Sequence, residues 1–400
     1  MTRRWRPAGL ALGLILLAGC AASPGPRASV SPSPPSGVKA AQAPTVPLTV
    51  DGVATLTLTT TDCQCSTLRL LSLGGSVLGS VTLAAGAQPP PEGGTEGIYY
   101  LLGLQLMKLG ADGATSVVGT VAKAPTASGA SVAPEPGPGA LAVAPGGTRW
   151  AYLQSVSIGG NQTEQVWVGQ ANGSPKLLLS TTQSPGAPSS EFPNGWTYQL
   201  MGWVDSALVL AQVPSGSDSF ASAAIEVSSV NIQTGAETLL SNSQNCPIGA
   251  IAGNGVYLCF QQGGGQATEL VTGTAGISTG AWSLSPGSGY GDAFFNPSAN
   301  QIVFSDCEGC GASPSAAYLA SQMEILNTLT GSIQSIGAPG LVPDAWLPNG
   351  QIVATRYSQL AYARKGAAPL SEVALVDPDS GQLTGLTTNT TSQFAGVATS

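Results

Sequence analysis

Histidine is absent from the 400 residues, and only 8% of them are Asp, Glu, Lys or Arg, against roughly 25% in an average globular domain. The first absence removes the usual proton shuttle near neutral pH and the commonest metal ligand. It excludes a histidine-based catalytic triad and a histidine-ligated metal centre. Basic runs are missing beyond the first six residues, and the net charge is -8. Phosphate recognition needs clustered Lys and Arg, so nucleic acid is excluded as a partner. Apolar runs are short: the stretch at residues 8–18 cannot cross a hydrocarbon layer of about 30 Å. What remains is rich in apolar residues (42%), with 53 Gly and 30 Pro. Such a chain can bury a core, and its Thr, Ser, Val, Leu and Gly favour strands and turns over helices.

The first twenty residues, "MTRRWRPAGLALGLILLAGC", have the layout of an export signal: a basic start at Arg3, Arg4 and Arg6, then a short apolar segment. Arg6 and Pro7 stand where a twin-arginine signal has apolar residues, so this is an ordinary basic leader. Its end, Leu16-Leu17-Ala18-Gly19-Cys20, resembles a bacterial lipobox. That resemblance implies a signal peptide over residues 1–19 and lipidation of Cys20. The alternative is a plain secretory signal with a chance cysteine. Residues 20–47 then read as a Pro-, Ser- and Ala-rich tether without a core. The expected location is extracytoplasmic, held to a membrane by the lipid, with the identity of that membrane unread.

From residue 48 to 400 short apolar segments alternate with Gly-, Pro- and Asn-rich turns. A hairpin pattern recurs in "TEQVWVGQANGSPKLLLS" from Thr163, "AIEVSSVNIQTGAETLLS" from Ala224, "QMEILNTLTGSIQSIG" from Gln322 and "SEVALVDPDSGQLTGLT" from Ser371. A second strand–turn–strand pattern precedes it in "ALAVAPGGTRWAYLQ", "LMGWVDSALVLAQV", "GAIAGNGVYLCFQQ", "DAFFNPSANQIVFSD" and "DAWLPNGQIVATRY". Together they make four strands in about fifty residues, the period of a propeller blade. Ala144-Pro145-Gly146-Gly147-Thr148, followed by Arg149-Trp150-Ala151-Tyr152, resembles the turn element of TolB-like and WD40-like repeats. Leu347-Pro348-Asn349-Gly350-Gln351-Ile352-Val353 is a second match. The usual turn Asp is replaced by Gly146 and Asn349, and no Gly-His or Trp-Asp pair occurs. The expectation is an all-β chain, a β-propeller of about seven four-stranded blades, with tandem β-sandwiches as the alternative. Residues 48–123 fit least well and are left open as a separate small β unit. The inserts at 122–139 and 181–195 are expected to be surface loops.

Six cysteines follow Cys20: Cys63 and Cys65, Cys246 and Cys259, Cys307 and Cys310. An even number in an exported chain points to disulfides; a Cys-x-x-Cys redox pair or a four-thiolate zinc site are the alternatives. Gly276-Ile277-Ser278-Thr279-Gly280 fits a hydrolase elbow, but that elbow needs a histidine base and a following helix. Ser36-Gly37-Val38-Lys39 matches a serine–lysine motif inside the tether. Asp377-Pro378-Asp379-Ser380-Gly381 begins like a calcium loop but lacks the later acidic ligand. No motif calls for a cofactor or metal. Asp292 and Asp344 are expected at the start of innermost strands, near one mouth of a central channel, as candidate recognition residues for a cation or basic peptide; capping turns is the structural alternative. The predicted role is non-catalytic binding or scaffolding of an envelope protein or peptide. A hydrolase or lyase using paired carboxylates or a metal, and a structural spacer, are the other readings.

Overall fold

The computed structural model describes residues 49–400 apart from 59–64, 85–90, 122–138, 159–160, 184–195, 205, 215–225, 242–247, 253–254, 264–265, 275–276, 286–287, 309–319, 358–370 and 388–391. Seven strands begin the architecture: β4 (Glu92–Thr95), β8 (Leu141–Val143), β12 (Trp196–Val204), β16 (Ile248–Ile251), β20 (Ser288–Phe295), β24 (Leu341–Trp346) and β28 (Ser392–Thr399). Each carries three antiparallel neighbours laid outward from it. Five of these four-stranded sheets stand alone, from β8 through β24, and the remaining two are joined edge to edge.

Side-chain alternation explains why the sheets must stack in a ring. In β13 (Ala207–Pro214), Leu208 and Leu210 point to the preceding sheet, where they meet Ala142, Ala151 and Val166. Val209, Ala211 and Val213 point the other way, onto Tyr257, Cys259 and Val271 of the following sheet. Both faces of a strand are therefore buried, as the short continuous apolar runs require. Every junction between consecutive sheets has such an apolar cluster, and one more joins Val353, Val373 and Leu375 of the last sheet to Val53 and Leu71 of the first. The fold is a seven-bladed β-propeller. Tandem sandwiches are overturned by this arrangement, because a sandwich buries one core between two sheets.

The first and last strands share one blade. β28 pairs with β1 (Val50–Leu58), and β2 (Cys65–Leu71) and β3 (Val77–Ala84) continue outward. β4 then starts the next blade, with β5 (Gly97–Leu102), β6 (Gln105–Gly110) and β7 (Thr115–Thr120). The stretch 48–123, left open as a separate unit, thus supplies β1 to β7 of the same ring. Thr181, Thr182 and Gln183 belong to β11 (Lys176–Gln183), so the second expected loop begins after them.

Antiparallel alternation sorts the connections by face. On the face where inner strands end, no connection exceeds the one at 377–382; on the face where they begin lie those at 121–140, 184–195, 215–225, 309–321 and 358–370. The chain enters on the first of these faces, where Thr49 exchanges backbone hydrogen bonds of 3.1 and 3.0 Å with Ser400.

Candidate functional site

The inner strands do not pair smoothly. The register skips Met201 in β12, Gly249 in β16, Asp292 in β20, Asp344 in β24 and Ala395 in β28. A skipped residue is a β-bulge, which bends the strand, sharpens its twist and re-aims a side chain. β4 and β8 pair without interruption. The two aspartates singled out in the sequence are therefore bulge residues inside their strands, a correction to their expected place at the strand starts. The strands begin earlier, at Ser288 and Leu341, because the apolar or small residues before each aspartate already pair.

Asp344 is half-buried, and its Oδ2 accepts a 2.7 Å hydrogen bond from the hydroxyl of Thr355 on β25 (Ile352–Tyr357). Thr355 is buried, so the bond anchors the carboxylate in a low-dielectric setting where such bonds are strong. Asp292 is described by its backbone position alone. β20 and β24 are adjacent inner strands, which places the two bulges on neighbouring blades.

Two further acids were missed by sequence reasoning. Glu92, the first residue of β4, is half-buried, and burial pushes its carboxyl up to about 7. It stands in "PPPEGGTEG", which reads as a turn; only the pairing of β4 with β28, from the far end of the chain, shows it to be an inner strand. Glu324 lies on β22 (Gln322–Asn327). Burial raises its pKa first, the charge of Asp306 adds to this, and a hydrogen bond from the Ser335 hydroxyl opposes both. The alternating pattern of a strand hides such carboxylate proximity, because it arises across strands.

Two of the remaining motifs resolve into turns, and Ser36-Gly37-Val38-Lys39 lies outside the described residues. Ser278 pairs with Gly273 in a hairpin, and its strand, β19 (Ile277–Ser283), runs on as a strand with no helix after it. Asp377 Oδ1 accepts from the amides of Asp379 (3.0 Å) and Ser380 (2.8 Å) and from the Ser380 hydroxyl (2.9 Å). These bonds, Ser380's above all, hold its carboxyl below the usual range. The oxygen a calcium ion would take is engaged by the turn itself. Among the described residues no group of three or more Cys, Asp or Glu could hold a metal.

Cys259 is buried on β17 (Tyr257–Gly263), opposite Ile248, and is disulfide-bonded. Cys65 pairs with Ala84 and Cys307 with Gly289 along the backbone. Cys20, Cys63, Cys246 and Cys310 lie outside the described residues.

The sequence matches no family model, and no curated protein matches it significantly. Solved structures do resemble the chain. A protein from Lactobacillus plantarum is 14% identical with a TM-score of 0.50, over 87% of this chain and 99% of the other. Oligogalacturonate lyase from Vibrio parahaemolyticus is 13% identical with a TM-score of 0.47, over 85% and 100%. A TolB-type protein from Agrobacterium tumefaciens is 13% identical with a TM-score of 0.37, over 86% and 90%. At these identities the likeness is one of fold.

Proposed function

We propose that the chain is a lipid-anchored extracytoplasmic β-propeller that binds a protein or peptide of the cell envelope, without catalysis, through the face where its inner strands begin. The observation that carries this reading is the sorting of connections. Short hydrogen-bonded turns occupy one face, and every long connection leaves from the other, where recognition residues on a rigid scaffold are expected. The bulges at Asp292 and Asp344 lie in the inner strands that start from that face. The chain enters at Thr49 on the opposite face, so a tether from a lipidated Cys20 would leave the long connections free to meet a partner.

A disulfide at Cys259 supports an oxidising compartment. Cys246 is its proposed partner: the pair would close a short loop and contribute roughly 3 kcal/mol. Mass spectrometry of the mature protein tests the anchor, and an unmodified Cys20 thiol would refute it. The binding reading is tested by affinity capture from the native envelope with three proteins: wild type, the Asp292→Ala/Asp344→Ala pair, and a chain with 309–319 shortened. A partner held by wild type and lost from either altered chain supports the reading. Equal recovery by all three would sink it.

A further inference from the structure

The joint between β28 and β4 differs from every other junction among the described residues. Elsewhere consecutive blades meet through side chains and isolated backbone hydrogen bonds, such as Leu200 to Gly139 and Gly340 to Ser321, but here two inner strands pair in parallel, Ala398 with Gly94 and Thr399 with Thr95. The Glu96 amide also donates to the Thr399 carbonyl at 2.5 Å. Two glycines allow the approach. A Cβ on Gly93 would lie 2.4 Å from the Val397 nitrogen, and one on Gly396 would lie 2.5 Å from the Gly93 nitrogen. Glu92 directly precedes this contact. It is half-buried, and no hydrogen bond or ion pair to its carboxyl occurs among the described residues.

Among the described residues, the groups around it offer no compensating charge. β5 sets Tyr99 opposite Glu92, but the Tyr99 hydroxyl donates to the Thr95 carbonyl at 2.8 Å. Lys108 on β6 is committed to Glu96 at 2.9 Å. β28 contributes uncharged Gln393, and β8 presents Leu141, Ala142 and Val143. Asp51 on β1 accepts from the Ser400 hydroxyl at 3.0 Å. An ionised Glu92 must therefore draw in water, at a joint where two blades are knit by strand pairing.

We propose that the β28–β4 joint is a proton-linked clasp, closed while Glu92 is neutral and loosened when its carboxylate forms. Burial lifts the folded-state pKa of Glu92 from 4.5 to about 7. A carboxyl raised in this way holds its proton better in the closed state. Its contribution is full below the unfolded value and is lost as pH rises through about 7.

Hydrogen–deuterium exchange of the mature chain between pH 5 and pH 8, corrected for intrinsic rates, tests this. Protection of the amides at 93–96 and 396–399 is expected to fall on the order of 50-fold across that range. In Glu92→Gln protection should match wild type at pH 5 and stay level to pH 8. A level wild-type profile, or a fall that persists in Glu92→Gln, would overturn the clasp. Glu324 is the other acid with a raised pKa; a fall centred on residues 322–327 and absent from the joint would assign the pH response there instead. Should Glu92→Gln not fold, the wild-type profile still decides, by whether the loss is confined to the joint.

Discussion

At the residue scale the chain trades side chains for closeness. Trp150 is fully buried, with its indole between Gly169, its cross-strand partner on β10 (Asn161–Gln170), and Gly119 on the preceding blade. A Cβ on Gly119 would come within 2.1 Å of the indole, and one on Gly169 within 2.3 Å. Gly119→Ala and Gly169→Ala should each destabilise the fold by about 1–3 kcal/mol, the usual cost of overpacking. Because both crowd the same ring, the double variant should cost less than the sum; denaturant unfolding of the four proteins measures it. Neither glycine was legible as a packing residue, since "GTRWAYL" shows the tryptophan but not what it leans on. Asp344 was legible as a repeated residue; that it fills a bulge and accepts from Thr355 was not, because a bulge is defined by pairing with a second strand.

At the scale of elements the recurring hairpins prove to share a mechanism. Asn231, Asn327 and Asp377 each turn a side-chain oxygen onto the amides two and three residues ahead. Each turn closes on a glycine in the left-handed region: Gly235, Gly331 and Gly381. The sequence displayed this element in "NIQTG", "NTLTG" and "DPDSG", which is why the blade period was readable. Asn and Asp should therefore be interchangeable there. Asn327→Asp is expected to leave stability within about 0.5 kcal/mol, while Asn327→Ala should cost about 1 kcal/mol through its two lost bonds; thermal melts of both check this. Five of the seven outer strands share another device. Their register skips Leu78, Val118, Leu178, Leu240 and Thr279. The four apolar residues turn inward onto the cores, while Val77, Val117, Leu177 and Leu239 beside them stay exposed. Bulges at the rim twist these open edges away from the flat geometry that would recruit another strand.

At the scale of the whole molecule, ring closure depends on the ends of the domain. β28 is inner strand to a blade whose other members come from residues 50–84. Its pairing partner lies more than 300 residues away in sequence. That distance is why the first blades were the hardest to place: "VDGVATLTL" completes no blade until Ser392–Thr399 arrives. A chain ending before Ser392 should keep β-rich circular dichroism but lose cooperative unfolding and near-ultraviolet signal, because Leu68, Leu70, Ile98 and Tyr100 would lose Ala395 and Ala398 from their shared core. A sharp single transition in that shortened chain would show that closure does not hold the blades. The position of Thr49 also carries a mechanical consequence. Tension on the chain ahead of it enters β1, which is held along its length by β2 on one side and β28 on the other. The pull runs parallel to the strand, so both ladders of hydrogen bonds bear it together in shear instead of parting one by one from a free edge.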